Sequence, residues 1–225
     1  MSSALVLGAS RGIGMEFVRQ YLADGWQVYG THRTEEDRIK LRDAGAHTLP
    51  LDIQEPDDVR GLAWQLEGEE LDTIIINAGV YGPRMSSIAS APTDEEFDNV
   101  MRTNVLGAMR LMPVIAPLLV PSRGTLAFIS SRMGSISETN ATYGAMYRVS
   151  KAATNMVARM AHAEYSKAGV RILVLHPGWV RTDMGGPNAD VEVDVSVGGM
   201  RSIIADSTAY ASGTFHDYRG KSLAW

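Results

Sequence analysis

The 225-residue chain contains no cysteine. Disulfides, thiolate catalysis and cysteine-ligated metals are thereby excluded, and the composition suits a reducing compartment, so a cytoplasmic protein is expected. No block of basic residues occurs and the formal net charge is −5, which argues against a nucleic-acid partner. The longest apolar run, Leu111 to Pro121, is broken by Pro113 and Pro117 and falls far short of the roughly 20 residues that span a bilayer. No membrane partner is expected, and the N-terminus lacks the basic start and apolar stretch of a signal peptide. The Gly-x-Ser-x-Gly elbow of serine hydrolases is missing, and no serine, histidine and acid form a recognisable triad. No cluster of histidine, aspartate and glutamate resembles a metal site.

What is present has the composition of a globular domain, 45% hydrophobic and 21% charged. Short apolar runs (Leu5–Leu7, Gln27–Gly30, His47–Leu51, Thr73–Ile76, Thr125–Ser130 and Arg171–Leu175) alternate with amphipathic stretches (Gly14–Asp24, Asp57–Glu67, Asp94–Leu119 and Tyr147–Ala168). That alternation predicts βαβ crossovers: an α/β, doubly wound Rossmann fold, mainly parallel, with helices on both faces of the sheet. No linker or composition break divides the chain, so residues 1–225 read as a single domain. Thr182–Met200, rich in glycine and acid, reads as a loop or lid.

The first βα turn is Gly8-Ala9-Ser10-Arg11-Gly12-Ile13-Gly14. Glycines there allow a tight turn and close approach to a phosphate, and the following helix offers free N–H groups. The second strand ends in His32-Arg33 with no acid before Glu35. A carboxylate would repel a 2′-phosphate, whereas guanidinium groups pair with it, so Arg33 and Arg11 favour NADP(H), with NAD(H) as the alternative. His32 reads as a surface residue. Leu51-Asp52-Ile53 closes the third strand, where Asp52 can hydrogen-bond an adenine amino group or form an Asx turn. Asn77-Ala78-Gly79 closes the fourth; its small residues let a cofactor lie near the backbone, and Asn77 can brace neighbouring strand ends. Asn104, a poor helix former within a helical stretch, suggests a buried polar task. After the fifth strand, Ser130, Ser131, Ser135 and Ser137 compete on chemistry as carbonyl-binding hydroxyls.

Tyr147 and Lys151 stand four apart, on one helix face. A free phenol has a pKa near 10, and a cation one turn away favours the phenolate. Alone, such a pair is equally an exposed helix face with a snorkelling lysine. Taken in order, Gly8-x-x-x-Gly12-x-Gly14, Asn77-Ala78-Gly79, Asn104, Ser131, Tyr147-x-x-x-Lys151 and Pro177-Gly178-Trp179-Val180-Arg181-Thr182 resemble the short-chain dehydrogenase/reductase family over almost the whole chain. The stretch Ser131 to Ile136, the stretch Tyr147 to Met156 and the terminal Trp225 are most similar to its C-factor and sniffer-like carbonyl reductases.

The resemblance implies an oxidoreductase that reduces a ketone, aldehyde or quinone with hydride from NADPH. In that scheme Tyr147 gives the proton, Lys151 holds the nicotinamide ribose and depresses the tyrosine pKa, and Ser131 positions the carbonyl. Asn104 anchors a water that links Lys151 to solvent. Thr182 holds the carboxamide, and Ser10, Ile13, Pro177, Gly178 and Val180 complete the cofactor contacts. A regulatory protein of the C-factor type, with incidental turnover, is the alternative. Leu7 and Ile76 depart from common family residues at structural positions. The gap of 16 from Ser131 to Tyr147 exceeds the family's usual spacing; the longer loop, 135–143, is expected to reshape the pocket wall. Val80, Tyr81, Met133, Tyr143, Trp179 and Met184 are the expected lining for a small or planar carbonyl substrate. A homodimer or homotetramer through Met101, Met109, Met156 and Met160 is a further expectation.

Overall fold

The computed structural model describes residues 1–83 and 87–225. Seven strands form one sheet in the order β3-β2-β1-β4-β5-β6-β7, every neighbouring pair parallel. They are β1 (Ser3–Leu7), β2 (Gln27–His32), β3 (His47–Pro50), β4 (Thr73–Ile76), β5 (Thr125–Ile129), β6 (Arg171–His176) and β7 (Thr214–Asp217). The helices are α1 (Gly12–Ala23), α2 (Glu35–Ala44), α3 (Pro56–Gln65), α4 (Asp94–Met101), α5 (Gly107–Ile115), α6 (Ala145–Tyr165) and α7 (Val193–Ala205).

Strand side chains alternate between two separate cores, the period of two that strand geometry imposes. Leu5, Leu7, Ile74, Ile76, Leu126, Phe128, Ile172 and Val174 pack with Leu62 of α3, Leu111 and Ile115 of α5, and Val157 and Ala158 of α6. Ala4, Val6, Ile75, Ala127, Ile129, Leu173 and Leu175 pack with Phe17 and Val18 of α1, Leu41 of α2, and Val197 and Met200 of α7. Both faces of the sheet are therefore covered, which explains the nearly continuous apolar strands.

Three expectations change. α2 and β7 join the predicted elements. α2 carries the charged sequence EEDRIKLRDA with only Leu41 buried, so it shows no apolar stripe; β7 reads TFHD and ends a sheet already six strands wide. The stretch Asp94–Leu119 is not one helix: a π-turn (Arg102–Leu106) joins α4 to α5, and a 3₁₀ turn (Ala116–Leu119) follows. The predicted loop 182–200 ends early, because Val193–Ala205 is helical and buries Ser196, Val197 and Met200. α7 is fastened to α1 by Arg201, whose guanidinium lies 4.3 Å from the centre of the Tyr21 ring.

The order 3-2-1-4 reverses winding direction between β1 and β4. Ligands bind at such a switch point, beyond the carboxyl ends of the strands. The turns that follow β1 and β4 are the glycine turn and Asn77-Ala78-Gly79.

Candidate active site

One cleft of about 1030 Å³ runs along the carboxyl ends of the strands. It is lined by Gly8, Ser10, Arg11, Gly12, Ile13, Arg33, Asp52, Ile53, Asn77, Ala78 and Gly79 at one end, and by Ser131, Tyr147, Lys151, Pro177, Gly178, Val180 and Thr182 towards the other. Met133, Tyr143, Trp179 and Met184 line it as well. Among the cofactor and catalytic expectations, Gly14 and Asn104 do not reach its wall.

The glycine turn is built by close backbone approach. Gly8 adopts φ +81, and a Cβ there would lie 2.7 Å from the Ala78 Cα. Gly14 packs its Cα against the turn, where a Cβ would meet the Gly8 carbonyl oxygen at 2.0 Å; its part is packing. Asn77 Nδ2 donates to that same carbonyl at 2.7 Å, and the Gly8 N–H donates to Thr31 Oγ1 at 2.9 Å. The turn is thus pinned to β2 and β4 before any ligand is considered. These glycines leave the narrow, side-chain-free surface that a dinucleotide phosphate bridge fits.

Arg33 faces Asp52 at 3.9 Å, and Arg11 faces Asp183 at 3.4 Å; both arginines are largely exposed. Asp52 does form the Asx turn, Oδ1 accepting the Gln54 N–H at 2.9 Å. Ile53 sends its side chain inward, where a Cβ on Gly107 would meet its Cδ1 at 2.8 Å. His32 is not a surface residue. It is 9% exposed, lines the cleft, and neither ring nitrogen has a hydrogen-bond partner. Buried polar atoms without partners are rare, and a ligand or water is a common reason for them. His176, whose Nδ1 is also unpartnered, lies further along the same wall. Burial pulls its pKa down to about 4.

Tyr147 and Lys151 project from the first two turns of α6, which starts at Ala145 after the left-handed Gly144. Tyr143 therefore precedes the helix; its carbonyl accepts from Arg148 Nε at 2.9 Å, and the Arg148 guanidinium lies 5.0 Å from its ring centre. Among the competing serines, Ser131 is the one that acts on Tyr147, lowering its pKa against the larger effect of burial; its Oγ accepts the Met133 N–H at 3.1 Å. Ser130 donates to Asn155 Oδ1 at 2.6 Å, Ser135 Oγ accepts the Glu138 N–H, and Ser137 donates to the Trp225 carbonyl at 2.8 Å. The long gap between Ser131 and Tyr147 is absorbed by a 3₁₀ turn (Arg132–Gly134) laid on α6. A Cβ on Gly134 would come within 2.8 Å of the Lys151 backbone. The surplus residues loop outward and are tied down at Trp225.

The Tyr147 pKa stands above that of a free phenol, and Lys151 is not among the causes of the shift. Burial raises the Tyr147 pKa well above that of a free phenol, the neighbouring Tyr81 adds to the rise, and Ser131 opposes it. The Lys151 ammonium lies 5.6 Å from the centre of the Tyr147 ring, and it donates to the Ile129 carbonyl at 2.9 Å. Burial brings Lys151 itself down to about 8. Desolvation is the largest cause of both shifts.

Asn104 sits in the π-turn. Its Oδ1 accepts the Val80 N–H at 2.8 Å, and its Nδ2 donates to the Val80 carbonyl at 2.8 Å and to Ser150 Oγ at 2.9 Å. Its main-chain carbonyl accepts from Thr154 Oγ1 at 2.9 Å.

The loop after β6 closes on itself where Arg181 N–H donates to Val191 O at 2.9 Å and Val191 N–H donates to Trp179 O at 3.0 Å. Trp179 is braced by its Nε1 donating to Gly185 O at 2.9 Å. Thr182 rests on the glycine turn: a Cβ on Gly12 would meet its Cγ2 at 3.1 Å. His32, His176, Arg132, Glu138, Asn140 and Arg148 also line the cleft and were not among the expected site residues. Arg132 and Arg148 lie inside motif stretches beside Ser131 and Tyr147, whereas no motif marks the other four.

A doubly wound parallel sheet with a glycine turn at its switch point defines the dinucleotide-binding class of α/β proteins. The chain belongs to the short chain dehydrogenase family, whose model matches residues 2–192. It is 37% identical to the C-signal protein of Myxococcus xanthus over 161 residues, 69% of this chain and 93% of that one. A short-chain dehydrogenase/reductase from Burkholderia multivorans, solved with bound NADP, superposes with a TM-score of 0.92 at 33% identity, covering 100% of this chain and 99% of the other. The carbonyl reductase Sniffer of Drosophila melanogaster gives 0.91 at 27% identity, with 100% of both chains covered. Among the described residues no helix is long and apolar enough to cross a membrane, and no group of histidine, aspartate and glutamate could hold a metal ion.

Proposed function

We propose that this protein is an NADP(H)-dependent carbonyl reductase acting on a ketone, aldehyde or quinone. The observation that carries the reading is the meeting of Ser131, Tyr147 and Lys151 in the same cleft as the glycine turn and Arg33. The likeness to the NADP-bound Burkholderia multivorans protein and to Sniffer supports it.

When bound, the nicotinamide supplies a hydride to the carbonyl carbon. The Gly8–Gly14 turn and the start of α1 would receive the diphosphate, with Ser10 and Ile13 contributing. Arg33 and Arg11 would pair with a 2′-phosphate, Asp52 and Ile53 would hold the adenine, and Asn77-Ala78-Gly79 the ribose. Pro177, Gly178, Val180 and Thr182 would hold the carboxamide end, and the loop 177–192 would act as the lid. Ser131 donates to the substrate carbonyl oxygen and so opposes the charge that develops there. Tyr147 gives that oxygen its proton. A phenol held protonated by burial suits this direction, because it enters the reaction as the acid. Lys151 binds the ribose and takes part in proton resupply through the water that Asn104 anchors.

NADPH oxidation against a panel of ketones, aldehydes and quinones tests the reading. Tyr147→Phe is expected to lower turnover by roughly 10²–10⁴-fold; absence of any substrate, or a variant equal to wild type, overturns it. Similarity to C-signal motivates a second reading, a dinucleotide-gated signalling protein. The intact Ser131-Tyr147-Lys151 group favours the enzyme, since a switch has no need of a proton donor. A homo-oligomer completes the proposal: α6 exposes Val149, Met156 and Met160, and α5 exposes Met109, and light scattering reports the size.

A further inference from the structure

Tyr81 follows the Asn77-Ala78-Gly79 turn, and its ring stacks on that of Tyr147, with centroids 4.7 Å apart and planes 23° apart. Its hydroxyl end is keyed to the start of α6: a Cβ on Gly144 would lie 2.7 Å from Tyr81 Oη and 2.8 Å from Met133 Cε. Gly144 caps the helix that carries Tyr147. The residue before Tyr81 is held at both main-chain polar groups by Asn104, which is bonded in turn to Ser150 of α6. Tyr81 is thus fixed from two sides, and its flat face is pressed on the reacting phenol.

We propose that Tyr81 is a positioning residue for proton transfer: its ring holds the Tyr147 phenol with the hydroxyl turned to Ser131. This rests on Tyr147 being the proton donor. The groups that face Tyr147 among the described residues are Tyr81 from the loop after β4, Ser131 from the loop after β5, and Lys151 on α6 itself. Of these, Tyr81 adds to the raised pKa of Tyr147 and Ser131 opposes it. The ring and the hydroxyl of Tyr81 therefore do different things, and two substitutions separate them.

Tyr81→Leu removes the stack. Misplacing a reacting group by about 1 Å costs up to ~10²-fold in rate, so the single-turnover rate of NADPH oxidation should fall roughly tenfold or more, with the Kd for NADPH within about twofold of wild type. Tyr81→Phe keeps the stack and removes the oxygen. Its single-turnover rate should stay near wild type. Full rate in Tyr81→Leu, or a Tyr81→Phe rate as low as that of Tyr81→Leu, overturns the proposal. So does a loss of NADPH affinity in Tyr81→Leu that matches the loss of rate, the mark of a merely structural role. Tyr147→Phe, run in parallel, keeps the two readings apart: if it retains turnover, the proton-donor assignment falls first; if it is inactive while Tyr81→Leu is not, only the role of Tyr81 falls.

Discussion

Lys151, for which a role at the ribose is proposed, opposes the fold that holds it. It is buried, its pKa lies near 8 instead of 10.5, and the cause is lost hydration. Between those two values the unfolded chain binds more protons than the folded one, so this residue's contribution to stability rises with pH across that window. Below about 8 the penalty is present in full, on the order of 3 kcal/mol. Lys151→Met should therefore raise the unfolding free energy at pH 7 by about 1–3 kcal/mol while abolishing turnover. Urea melts at pH 7 and pH 10 check the claim. The variant's advantage should shrink at the higher pH, and a less stable variant at pH 7 would falsify it. The spacing of Tyr147 and Lys151, read in order with the other motifs, carried the pair into view. The sign of its electrostatics was not legible, because burial is a property of the folded environment.

Among the elements, the 3₁₀ turn (Arg132–Gly134) is capped by Ser131, whose Oγ accepts the Met133 N–H at 3.1 Å. Gly134 has no room for a methyl group against the Lys151 backbone. Gly134→Ala should lower stability by about 1–3 kcal/mol and turnover by roughly tenfold or more, read from melting curves and initial rates. Wild-type values for both would show that the turn does not set the serine. The stretch that holds it, Ser131 to Ile136, was readable as a motif. Other elements were not. The π-turn (Arg102–Leu106) leaves no pattern beyond one ill-placed asparagine, since what holds Asn104 is a strand-end loop 24 residues away. α2 lacks an apolar stripe. His32 read as a surface residue because the sequence shows no partner for it, and the cover that α2 gives β2 was not readable either. Leu41 of α2 in fact lies 3.1 Å from where a Gly30 Cβ would be.

For the whole molecule, the alternation of apolar runs with amphipathic stretches was enough to specify the parallel sheet, because each face must be covered by helices. The preference for NADP(H) belongs to this scale as well, since a ligand that binds only the folded state stabilises all of it. At a free concentration near 100 times its Kd, NADPH should add about 2.7 kcal/mol, a rise in Tm of roughly 5–10 °C for a domain of this size. NADH at the same concentration should add less, and Arg33→Ala should bring the NADPH shift down towards it. Equal shifts for both nucleotides on the wild-type protein would sink the preference. The common direction of all seven strands also gives the molecule a working rim and an idle one. Every loop of the cleft leaves a strand's carboxyl end, while α3 delivers the chain back to the opposite rim, where Glu67 is exposed. A chain without cysteine accepts one thiol as a unique chemical handle. Glu67→Cys would anchor the protein to an electrode or bead with its cleft facing the bulk solution.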